Sequence, residues 1–329
     1  MKDLKRILIS RIDSIGDVVL TLPLAIVLKR KYPDAEILFL GQEYTRPVIK
    51  RCPGVDRFID KKSIQSGGDF KKLNVDAILH VYPEKSIASF AKSAGIPIRI
   101  GTSHRIYHWW TCNKRLNLGR KNSEQHEAQL NLKLGVPLGI SENISLSEIT
   151  GWDIFRKKEV SERIRSMIDT GKKNVILHPT SKGSAREWGL ENFSALLKML
   201  PPEKFNLFLS GTVADGKLLV DWSNQHPGIK NMCGQLSLDE LMDLISVSDA
   251  LVAASTGPLH LAAAYGIHAI GIYAPIRPMH IGRWGPVGRK AKAFSLLKNC
   301  SDCRQTGDCH CIREVPPSQI AHYLEAIKK

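Results

Sequence analysis

Short apolar runs alternate along this chain with longer stretches whose apolar residues recur at helical spacing. Ile7 to Ser10, Glu36 to Leu40, Val55 to Ile59, Ala77 to Val81 and Ile98 to Ile100 read as strands, while Asp17 to Lys31 and Ser86 to Ala94 read as helices. A turn at Pro33-Asp34 separates the first helix from the second strand. Strands alternating with helices predict α/β architecture with a parallel, doubly wound sheet. A polar, charged stretch over 141–173 breaks the pattern and reads as linker plus a helix around Glu159 to Ile168. The alternation then restarts. Val175 to His178, Leu207 to Ser210, Ile229 to Met232, Ala250 to Ala253 and Ala269 to Ile272 read as strands. Leu190 to Leu200, Asp215 to Gln225, Ser237 to Ser246 and Pro258 to Tyr265 read as helices, so a second parallel sheet is expected. A last helix, Pro317 to Ile327, follows the rigid pair Pro316-Pro317, which is expected to carry the chain back onto the first domain. The predicted organisation is a domain over 1–155, a second over 156–315, and a returning helix over 316–329.

Composition supports two cores. The chain has 329 residues, 43% of them apolar and spread throughout, which suits two domains and excludes a disordered or solenoid chain. Arg11 and Asp13 interrupt the N-terminal apolar stretch before it reaches the length of a secretory signal or a membrane span, so retention in the cytoplasm is expected. Seven cysteines, an odd number, fit a reducing compartment.

Charge narrows the partners. A formal charge of +15 points to an anionic partner, and no acidic residue lies between Glu84 and Glu124, where Lys85, Lys92, Arg99, Arg105, Lys114, Arg115, Arg120 and Lys121 accompany His104, His108, Trp109 and Trp110. One reading is a solvated basic face. The other is a docking surface for a phosphorylated or carboxylated acceptor beside an anionic membrane, with Arg99, Arg105 and His108 as candidate acceptor contacts. A nucleic-acid partner is set aside, because no recognition motif appears and aromatic residues are only 7%. A dinucleotide oxidoreductase is set aside too, since the first loop has a lone Gly16 in place of G-x-G-x-x-G.

Loops that leave strand ends and open helices are the places to look for chemistry. The first is Arg11-Ile-Asp-Ser-Ile-Gly-Asp17, where Gly16 is expected at a tight turn and Asp17 is either an N-cap or a general base. The second is Ser255-Thr-Gly-Pro-Leu-His260, whose Thr256, Gly257 and His260 at a helix start suit a diphosphate. The third, His178-Pro-Thr-Ser-Lys-Gly-Ser-Ala-Arg-Glu-Trp188, sets hydroxyls and cations after a strand, as phosphate oxygens require. The turn Leu209-Ser-Gly-Thr-Val-Ala-Asp215 places a carboxylate where a ribose hydroxyl is often held.

Four segments together, ILISRIDSIGDVVLTLPLAIVLKRKYP, HPTSKGSAREW, SGTVAD and STGPLHLAAAYGIHAIGIYAP, resemble glycosyltransferase family nine, the bacterial lipopolysaccharide heptosyltransferases. The resemblance implies a GT-B fold, two Rossmann-like domains facing a central cleft, and an inverting transfer that requires no metal or other cofactor. It implies an acceptor-binding first domain and a nucleotide-sugar-binding second domain. By position it makes Asp17 the base and assigns Thr180, Ser181, Lys182, Arg186, Asp215, Leu236, Ser255, Thr256, Gly257 and His260 to the donor, ADP-heptose, with Leu236 over the adenine. Ser255 stands where the family often has aspartate. The implied partners are a nucleotide sugar and an anionic lipid-linked saccharide acceptor, met peripherally at the inner membrane. A relative using another nucleotide sugar, or a noncatalytic sugar-nucleotide-binding protein, would share the pattern. Cys300, Cys303, Cys309 and Cys311 offer one zinc-like C-x-x-C half and a cramped second half, so a structural metal, a disulfide and unligated thiols all stay open.

Overall fold

A computed structural model describes residues 4–120, 123–277, 279–296 and 309–328. The chain divides into two units, Met1–Arg156 and Lys157–Lys329.

The first unit holds β1 (Arg6–Ser10), β2 (Glu36–Gly41), β3 (Arg57–Asp60), β4 (Ala77–His80), β5 (Ile98–Thr102) and β6 (Lys114–Leu116) in one sheet ordered β3-β2-β1-β4-β5-β6, every pair parallel. β1 is central, with Ser10 in register with Leu40 on one side and His80 on the other. Ile7, Leu8 and Ile9 are all fully buried, as a strand covered on both faces must be. One face is closed by Phe70, Ile87 and Ala91 packed against Leu8, Leu38 and Ile78. The expected helix over Asp17 to Lys31 is two helices, Ile15–Val19 and Leu22–Lys31. Pro23 in the first turn of the second has no N–H to return to Val19, so the helical ladder breaks at Leu20-Thr21 while the apolar periodicity runs on. Gly16, expected at a tight turn, lies inside the first of these helices.

The second unit repeats the topology. β7 (Lys173–His178), β8 (Phe205–Leu209), β9 (Ile229–Asn231), β10 (Ala250–Ala254), β11 (His268–Ile272) and β12 (Lys292–Phe294) form a parallel sheet ordered β12-β11-β10-β7-β8-β9. Counted from β7, this is the same order as the first sheet. The helix anticipated at Glu159 to Ile168 is shorter, Glu162–Arg165.

Two edge strands, β6 and β12, carry no apolar alternation and were not anticipated. An edge strand is held by backbone bonds to one neighbour and keeps its side chains largely in solvent, so hydropathy is silent about it.

The C-terminal helix has its packing surface in the second unit. Pro317–Ala326 packs along Leu190–Met199 and belongs to the second unit. Its buried face, Ile320, Ala321 and Leu324, joins the cluster of Val175, Trp188, Phe193 and Leu196, and Lys173 Nζ donates to the carbonyls of Leu324 and Glu325 at 3.1 and 2.6 Å. The stiff Pro316-Pro317 entry directs the helix, but the matching apolar surface is what receives it.

Candidate active site

In both sheets the chain reverses its direction of winding beside the central strand, between β1 and β4 and between β7 and β10. Loops at the carboxyl ends of such strand pairs open a crevice because their helices leave to opposite faces.

At the β1 end, Ser14 is the N-cap of the helix Ile15–Val19, yet its hydroxyl makes no cap bond and donates to Asp17 Oδ2. Asp17 sits in the first turn and is therefore not the N-cap that one reading of the sequence allowed. Its other oxygen accepts from Arg11 Nη2, and its side chain is 19% exposed. Arg11 is itself buried and divided among three carboxylates: Nε donates to Asp13 at 2.6 Å and Nη1 reaches Glu127 at 3.4 Å. Glu127, fully buried, also accepts from Arg120 Nη1. Arg120 Nη2 donates to Asn131 Oδ1 at 2.9 Å, and Asn131 Nδ2 donates to the carbonyl of Leu20 and to Thr21 Oγ1. Thr21 Oγ1 closes the circuit by donating to the carbonyl of Asp17 at 2.8 Å.

Three carboxyl groups thus share two guanidiniums. Burial pushes the Asp13 carboxyl up to about 6, and the Asp17 charge adds to this, against the opposing pull of Arg11. Nothing in local spacing marks Glu127, Asn131 or the pairing role of Arg120, since they lie more than a hundred residues from Arg11. The one available signal was a charged residue on the buried face of the helix Glu127–Lys133, where an unpaired carboxylate is not tolerated.

In the second unit, β7 and β10 end side by side, with His178 in register with Ala253. The segment after β7 folds on itself: Ser181 N donates to Glu187 Oε1 at 2.6 Å, and Ser181 Oγ lies 2.8 Å from the Ala185 carbonyl. Lys182 and Gly183 take positive φ values of 51° and 78° to make the turn, and Lys182 is exposed. Two residues beyond Arg186, the Trp188 ring is fully buried, its Nε1 donating to the Val315 carbonyl at 2.9 Å, which fixes the end of this loop against the core. Ser181, expected to meet the donor, is buried and serves the loop itself, with Glu187 as its unanticipated partner.

The SGTVAD turn meets the same place. Burial raises the Asp215 carboxyl, but hydrogen bonds from Thr212 and Thr180 and the charge of Lys182 outweigh it and hold the group below its ordinary value. His178, half-buried and bonded through Nδ1 to Ser210 Oγ at 3.0 Å, is pushed down to about 4 by desolvation and is neutral. Asp215 is therefore a neighbour of Thr180 and Lys182, which belong to the segment after β7. Asp215 is the N3 residue of a capping box opened by Thr212, its Oδ2 accepting from Thr212 N at 2.7 Å and Thr212 Oγ1 at 2.6 Å, and the residue is 3% exposed.

The loop after β10 keeps its polar groups open. Thr256 is the N-cap of the helix Gly257–Tyr265, but its hydroxyl makes no cap bond, is buried, and has no hydrogen-bond partner among the described residues. An N-cap threonine normally satisfies a first-turn N–H, so a hydroxyl turned away from that task is arranged for something else. Ser255 is partly exposed and bonds Tyr273 through its side chain. His260 is buried one turn into the helix, and Leu236 is partly buried.

The candidate acceptor contacts separate. Arg105 is exposed, whereas Arg99 is tied to the carbonyls of Thr111, at 2.7 Å, and Ile96. His108 is fully buried, with Nδ1 2.9 Å from the Thr102 carbonyl, and so presents no surface to an acceptor. Cys309 and Cys311 are buried, while Cys300 and Cys303 lie outside the described residues. Among the described residues no three His, Cys, Asp or Glu side chains gather as a metal-holding group.

Two parallel sheets of one strand order, each with a polar loop at its winding reversal, are the architecture of the GT-B class. The chain matches the model of glycosyltransferase family 9 (heptosyltransferase) over residues 71–311, and it belongs to that family. It is a glycosyltransferase. It is similar to lipopolysaccharide heptosyltransferase 2 of Escherichia coli (strain K12), 23% identical over 349 aligned positions that cover 95% of each chain. Among solved structures, E. coli ADP-heptose LPS heptosyltransferase II superposes with a TM-score of 0.77 at 20% identity over 98% of both chains. A glycosyl transferase family 9 protein from Veillonella parvula reaches 0.81 at 18% identity, over 98% of this chain and 97% of that one.

Proposed function

We propose that this chain transfers heptose from ADP-heptose to a lipopolysaccharide core acceptor with inversion and without a metal ion, Asp17 acting as general base. The observation that carries the reading is the Asp17 carboxylate, partly exposed at the β1 end and held on both oxygens by donors from its own loop. A base held in one orientation, with lone pairs left to accept a proton, suits removal of the hydroxyl proton as that oxygen attacks an anomeric carbon. As the new bond forms, the bond from the anomeric carbon to the diphosphate oxygen breaks and its electron pair leaves with ADP. Lys182, Arg186, the Thr256 hydroxyl and the N-terminus of the helix Gly257–Tyr265 meet that charge, the work a divalent cation does elsewhere. A single displacement with no enzyme nucleophile inverts the configuration. The donor is read from the family and from the name of the E. coli neighbour; the acceptor is a lipid-linked, anionic saccharide.

Titration calorimetry with ADP, UDP, GDP and CMP in the presence of a chelator tests the donor half. Preference for ADP, weakened by both Arg186→Ala and His260→Ala, is the expected result. Preference for another nucleotide would move the donor, and no binding to any would overturn the transferase site as assigned.

A further inference from the structure

One surface of the first unit exposes large apolar side chains. Ile106, Trp109 and Trp110 are 75%, 58% and 64% exposed. Trp109 and Trp110 lie in the short helix His108–Thr111, whose own His108 and Thr111 turn inward and are buried, and Ile106 stands in the turn before it, its carbonyl accepting from Trp109 N at 3.0 Å. Isolated apolar side chains on a surface need no explanation, but two indoles and an isoleucine side by side form a patch. Trp109 is not loose: its Nε1 donates to the Ser103 carbonyl at 3.1 Å, and the Arg115 guanidinium stacks 4.8 Å from its ring centroid. The exposure is built in.

The surroundings are cationic. His104, Arg105, Lys114 and Arg115 are exposed around the patch, and the helix Lys85–Ser93, carrying Lys85 and Lys92, packs beside it. No acidic residue interrupts the sequence between Glu84 and Glu124. Indoles with an apolar body and an N–H edge settle at the headgroup level of a bilayer, and cations near an anionic leaflet each strengthen binding roughly fivefold. Apolar residues set among exposed cations match an anionic lipid surface better than a protein partner of mixed charge.

We propose that Ile106, Trp109 and Trp110 dock the first unit on an anionic lipid bilayer, with Arg105, Lys114 and Arg115 on lipid phosphates. The contact concerns where the enzyme stands and does not depend on the transfer reaction. The test is flotation of the full chain, without nucleotide, with vesicles of phosphatidylcholine alone or mixed with phosphatidylglycerol. Binding to the mixed vesicles only, weakening as salt shortens the screening length, is expected. Trp109→Ser with Trp110→Ser, and separately Arg105→Glu with Arg115→Glu, should each weaken it about tenfold or more while thermal unfolding stays cooperative. Should a variant not fold, the wild type still decides: brominated lipids must quench its tryptophan emission. Equal binding to both vesicle types, binding to neither, no quenching, or unchanged affinity in folded variants would overturn the proposal. So would a tryptophan pair whose replacement dissolves a dimer in sedimentation velocity. Failure to bind ADP would sink the transfer reading and leave this one standing.

Discussion

The two units share a strand order and finish the same edge of their sheets in opposite ways. At the β1 end, Arg11, Asp13, Asp17, Glu127 and Arg120 answer one another's charges, and Asn131 and Thr21 tie that set to the backbone. At the β10 end, Thr256 turns a buried hydroxyl away from its own helix and leaves it without a partner among the described residues. A saturated polar network holds a reactive group in one place, whereas an unsatisfied one is a receptor that a ligand completes. One set follows the first strand of its sheet and the other follows the fourth, both beside the winding reversal, and the proposed function makes the first a fixed tool and the second a socket.

Breaking the tool should give the largest effect. Asp17→Asn is expected to lower kcat/KM for glycosyl transfer by about a thousandfold, the scale of general-base catalysis, with ADP affinity unchanged by calorimetry. Activity near wild type would remove Asp17 from the chemistry. Next comes Glu127→Ala, which removes the buried carboxylate shared by Arg11 and Arg120 and should cost about 3–5 kcal/mol in urea unfolding. A loss under about 1 kcal/mol would show that the network is not under strain from its own charges.

Asp13 sharpens the comparison through pH. Its folded value of about 6 lies above the ordinary carboxylate value, so the folded chain binds more protons than the unfolded chain between about pH 4 and 6. Stability therefore falls as pH rises through that window. Asp13→Asn should remove the fall and leave the variant more stable at neutral pH by about 1–3 kcal/mol, the low end reflecting its lost bond to Arg11. Equal slopes for both proteins across that window would refute the assignment. The smallest effect belongs to the socket: Thr256→Val should weaken ADP binding roughly fivefold and leave thermal stability unchanged, because the hydroxyl caps nothing. A drop in stability without a change in affinity would make it an ordinary cap.

How much of this was legible varies by element. Apolar runs such as Ile7 to Ile9 and Leu207 to Leu209 announced the central strands, because burial on both faces demands them. β6 and β12 were silent for the reverse reason. Thr212-x-x-Asp215 carried the spacing of a capping box, which the bonds between the two residues complete. The apolar stripe of Pro317–Ala326 told that the helix packs and not where, since a stripe specifies a complementary surface without naming its owner.

Taken by itself, the sequence determined two doubly wound α/β domains, the loops that carry chemistry, and Asp17 as the group to suspect. These rest on periodicity and local spacing, which neighbouring residues settle among themselves. The tertiary structure decided which partners hold Asp17, that Asp215 caps a helix, that His108 lies inside, and that the last helix stays with the second unit. Each of those depends on groups far apart in the chain being desolvated together, and the cost of an unanswered buried charge or hydroxyl exists only once the fold has closed around it.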